Sequence, residues 1–65
     1  MIVPKTLNEL RTMIRKSVED MDSSAADLVA EILRQNGYSY KRMMMLVASV
    51  GVNPADFEEL LLEVA

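Results

Sequence analysis

The chain has 65 residues, 51% of them hydrophobic, with no Cys, no His and a net charge of −3. That length is one domain, and it excludes a disulfide framework, thiolate metal sites and His-based catalysis. A chain this short buries only ~60% of the surface its unfolded form exposes, so it is expected to rely on a well-packed helical core or on association.

Met1-Ile2-Val3-Pro4-Lys5 is too short for the apolar region of a signal peptide. Thr6 with Glu9 three residues on is a T-x-x-E capping box. Behind it Leu7, Leu10, Ile14, Val18 and Met21 recur at helical steps, so the first helix is expected over 7–21. Arg11, Arg15 and Lys16 occupy the opposite face. Asp22-Ser23-Ser24 interrupts the pattern, and Ser24 with Asp27 reads as a second capping box. Ala25, Leu28, Val29, Ile32 and Leu33 form the stripe of a second helix, 24–36, which Gly37 ends in the left-handed position.

Ser39 is the cap expected for a third helix, 40–50, with Tyr38 and Met43 placed to form a hydrophobic staple. The run Met43 to Val50 is apolar nearly all round, which predicts a central core helix. Gly51 ends it. Asn53 caps a fourth helix, 54–64, with Pro54 at its first position and Asp56 at the positive end of its dipole. Phe57, Leu60, Leu61 and Val64 share one face and Leu62 points away. No alternating pattern predicts a strand. The expected fold is all-α, a compact single domain of four short helices with an orthogonal arrangement.

No apolar run reaches the ~20 residues of a membrane span, so a soluble, cytoplasmic protein with no membrane partner is expected. Its serines have no His to serve as base, and no Gly-rich phosphate loop occurs. The chain is therefore read as non-enzymatic and without a cofactor. Asp20, Asp22, Ser24 and Glu31 fall at positions 1, 3, 5 and 12 of an EF-hand loop. The turn glycine of that loop is replaced by Ala25, and helix capping accounts for the same residues.

Leu46, Val50, Gly51, Val52, Phe57 and Leu60 are spaced around a turn glycine in a way that resembles helix-turn-helix proteins. The segment Gln35 to Arg42 is similar to the approach to the first helix of that motif in bacterial regulators. The resemblance covers the C-terminal half and implies a DNA-binding regulator, with Arg11, Arg15, Lys16, Lys41 and Arg42 meeting phosphates. The fourth helix departs from a groove reader. Its outward positions hold Glu58, Glu59 and Glu63 and no Lys or Arg, which opposes the counterion release that drives DNA binding. The preferred expectation is a small acidic regulatory or adaptor protein that binds another protein, a second copy of itself included. A phage or mobile-element accessory protein would have this character. Its contact residues would be Lys41, Arg42, Met45, Glu58, Glu59, Leu62 and Glu63, since Met is adaptable at binding surfaces.

Two charge clusters oppose their helix dipoles. Lys41 and Arg42 stand in the first turn of the third helix, and Glu19 and Asp20 in the last turn of the first. Mutual neutralisation of the two clusters is one expectation, and a basic patch for an acidic partner is the other.

Overall fold

The computed structural model describes residues 6–64, so the readings made on Met1 to Lys5 lie outside the described residues. Within them the chain forms four α-helices and no strand: α1 (Leu7–Glu19), α2 (Ser23–Gln35), α3 (Tyr40–Ser49) and α4 (Pro54–Val64).

Helix α1 starts at the expected box. Glu9 N–H donates to Thr6 Oγ1 at 3.3 Å and Thr6 N–H donates to Glu9 Oε1 at 3.4 Å. It stops two residues earlier than its apolar periodicity predicts. Asp22 N–H donates to the Ser17 carbonyl at 2.8 Å and Met21 N–H to Val18 at 3.2 Å, the double closure of a Schellman motif. Met21 takes the left-handed position at φ +51. That closure leaves Asp22 extended immediately afterwards, so Asp22 and not Ser24 caps α2. Asp22 Oδ1 accepts from Ala25 N–H at 3.1 Å, and Ser24 lies inside the helix. A continuous α2 from Ser23 to Gln35 also leaves no room for a twelve-residue EF-hand loop.

The later junctions follow the expected chemistry. Gly37 and Gly51 both sit at φ +85, a conformation that costs glycine no Cβ clash. Ser39 Oγ accepts from Arg42 N–H at 3.2 Å, and Asn53 Oδ1 accepts from Ala55 N–H at 3.0 Å.

The core joins Leu10 and Ile14 of α1, five residues of α2, three of α3, and Phe57 and Leu60 of α4. The central helix is α2, not α3. It buries Ala26, Val29, Ala30, Ile32 and Leu33, and packs most extensively on α1 and α4. Helix α3 buries only Met43, Leu46 and Val47, while Met45 is 63% exposed. An all-round apolar run is therefore packed on one side only. Tyr38, the expected staple residue, is half-buried against the core that holds Met43. Val64, expected on the buried face of α4, is exposed at the helix end. The domain measures 24 × 23 × 19 Å with a radius of gyration of 10.4 Å, close to the ~11 Å of a compact chain this long. None of its helices is long and apolar enough to cross a membrane among the described residues.

Candidate functional site

The acidic positions of α4 divide between two edges of the helix. Glu58 and Leu62 are four residues apart and share one edge. The Tyr40 hydroxyl of α3 donates a hydrogen bond to Glu58, which places this edge beside the first turn of α3. That bond holds the Tyr40 phenol above its usual value, with desolvation and the Glu58 charge adding to the effect. Leu62 follows one turn later and is 67% exposed.

The other edge carries Asp56, Glu59 and Glu63, spaced by three and four residues. With Val18 and Met21 of the α1 end and Leu60, they line a hollow of about 250 Å³. Glu63 also accepts a hydrogen bond from Ser23 Oγ at 2.9 Å, which ties this edge to the start of α2. Met21 is 76% exposed at the hollow. Sequence reasoning put Met21 on the buried stripe of α1. It missed the hollow because the residues that line it stand some forty positions apart.

The basic residues Arg11, Arg15, Lys16, Lys41 and Arg42 stand on two helices, α1 and α3. Arg15 and Lys16 are consecutive and so stand about 100° apart around α1. Lys16 lines a separate hollow with Asp20 and Asp22, whereas Arg11 shares the side of Arg15. Arg11 is half-buried, and its Nε has no hydrogen-bond partner among the described residues. Lys41 and Arg42 are exposed on α3. The Arg42 guanidinium lies over the Tyr38 ring, 4.6 Å from the ring centre. This cation–π contact offsets the unfavourable dipole position of Arg42, and nothing in the charge pattern announced it.

The expected neutralisation between Lys41/Arg42 and Glu19/Asp20 is not formed. Among the described residues the one ion pair joins Arg34 to Glu31 within α2, at 3.3 Å. Nor do three carboxylates there converge closely enough to hold a metal ion. The arrangement supplies exposed apolar residues on α3 and α4, Met45 and Leu62 the most exposed among them, and an acid-rimmed hollow on the far edge of α4. A scan against protein-family models and searches of curated proteins and solved structures gave no significant match to the chain.

Proposed function

We propose that this protein is a small, non-enzymatic regulatory or adaptor protein that works by binding another protein, through α4 and the outer face of α3. The observation that carries this reading is the exposure of Met45 and Leu62, at 63% and 67%, on a domain whose core is already closed by other residues. Large apolar side chains kept in water give up transfer free energy of ~1.5–3 kcal/mol each, which a partner surface would recover. Lys41 stands one helical turn before Met45 and Glu58 one turn before Leu62, polar neighbours of the kind that rim an interface.

The test is affinity capture with the wild-type chain and a Met45→Glu/Leu62→Glu variant, from the cells that make the protein. Both residues are exposed, so the variant keeps its helical circular dichroism. A partner held by the wild type and released by the variant supports the reading. Equal capture by both baits contradicts it.

A second reading, DNA binding, is favoured by Lys41 and Arg42, neither of which is in an ion pair among the described residues. Against it stand the acidic outward positions of α4.

A further inference from the structure

The hollow between the end of α1 and α4 has properties that specify an occupant. Its apolar part is Val18, Met21 and Leu60, and its polar part is Asp56, Glu59 and Glu63. None of the three carboxylates takes part in an ion pair among the described residues. They also form a row. Asp56, Glu59 and Glu63 lie on successive turns of one helix edge and span about 10 Å of rise. A row of that length matches side chains at i, i+3 or i+4, and i+7 of a second helix lying alongside α4. No strand edge is present among the described residues to receive an extended peptide. Met21 adds an apolar side chain that the fold leaves outside its core, and an unbranched thioether adapts to varied partner shapes.

We propose that this hollow is the docking groove for a basic amphipathic helix of a partner protein. One apolar side chain of that helix sits against Val18, Met21 and Leu60, and its Lys or Arg side chains meet Asp56, Glu59 and Glu63. This inference rests on the protein-binding reading above and deepens it by naming the chemistry of the partner. A second copy of the chain is a poorer occupant. The two helices that carry more than one basic residue, α1 and α3, already bury Leu10 and Ile14, and Met43, Leu46 and Val47, in the chain's own core.

The test is a titration of isotope-labelled full-length chain with a synthetic peptide in which Leu and Lys recur at three- and four-residue steps. A control peptide carries Glu in place of Lys. The expected result is movement of the Val18, Met21, Leu60 and Glu63 amide signals with the Lys peptide, and none with the Glu peptide. Replacing exposed Glu59 (Glu59→Lys) should weaken binding about tenfold, and raising the salt should weaken it further. Met21→Gly should weaken it several-fold while the fold melts at a higher temperature, a combination that a purely structural role for Met21 does not give.

Four results would overturn the inference. The Lys peptide fails to bind, or it binds no better than the Glu peptide. Alternatively, the shifted signals belong to Tyr40, Met45 and Leu62, in which case the groove assignment fails and protein binding through α3 and α4 stands. Self-association of the chain that Glu59→Lys abolishes would likewise replace the helix of another protein with a second copy. The capture assay with Met45→Glu/Leu62→Glu reports on the broader reading separately from all of these.

Discussion

Met21 occupies the same position after its helix as Gly37 and Gly51 do after theirs, all at positive φ. For a residue with a Cβ that conformation costs roughly 1–2 kcal/mol. Met21→Gly removes the strain but adds ~0.5–1 kcal/mol of backbone entropy to the unfolded chain. The expected net gain is about 0.5–1 kcal/mol, read as a melting temperature higher by a few degrees. Left-handed positions are legible in sequence when Gly or Asn fills them, as at Gly37 and Gly51. At Met21 the apolar spacing of α1 pointed to one more helical turn, and only the closure onto Ser17 and Val18 decides otherwise. Capping shows the same limit. Asp22 and Ser24 are equally good caps by composition, and the tight turn selects Asp22. Asp22→Ala should therefore cost about 1 kcal/mol in denaturant unfolding, while Ser24→Ala stays within ~0.5 kcal/mol. Tyr40 gives a pH signature. Its phenol titrates above the usual ~10 because Glu58 accepts its hydrogen bond. A group whose folded value is raised contributes its stability in full below the unfolded value. It loses that contribution as pH rises through the folded value. An ultraviolet titration of Glu58→Ala should return the Tyr40 transition toward its usual position.

At the scale of helices, the number, type and starts of the elements were written locally, in Thr6/Glu9, Ser39 and Asn53/Pro54. Which helix lies at the centre was not. The run Met43 to Ala48 is the longest unbroken apolar stretch of the sequence, yet α2 is the helix enclosed. The small side chains Ala26 and Ala30, both fully buried four residues apart, let neighbouring helices approach α2 closely. The burial of α3 is one-sided, because Met43, Leu46 and Val47 already fill its share of the core. Adjacent methionines should consequently behave very differently. Met43→Ala, at a fully buried position, is expected to cost about 2–5 kcal/mol. That is comparable with the total of roughly 3–10 kcal/mol for a domain this size. Met45→Ala should change stability by less than ~0.5 kcal/mol. Urea unfolding of the two variants side by side distinguishes this packing from the central α3 that the sequence suggests.

Over the whole molecule, the charge pattern decides what kind of partner fits. The acidic residues of α4 and the exposed Met45 and Leu62 could be picked out by spacing alone, since outward positions follow from the helical period. The hollow could not, because Val18 and Met21 meet Asp56, Glu59 and Glu63 only through the packing of α1 on α4. Nor could the fate of the cations be read. Arg42 stacks on Tyr38 instead of pairing with a carboxylate, and Lys16 faces a hollow it shares with Asp20 and Asp22. Asp56, Glu59 and Glu63 line a shaped hollow, and on the reading proposed above that charge calls for a cationic partner and not a polyanion. One salt series tests that preference. The chain and its Lys41→Ala/Arg42→Ala variant are titrated with generic duplex DNA and with the Leu/Lys peptide, at low and moderate salt. The expected result is that the peptide binds both proteins equally and that DNA binds neither at moderate salt. Tight DNA binding that falls steeply with salt, and disappears in the double variant, would contradict it and make the protein a nucleic-acid regulator.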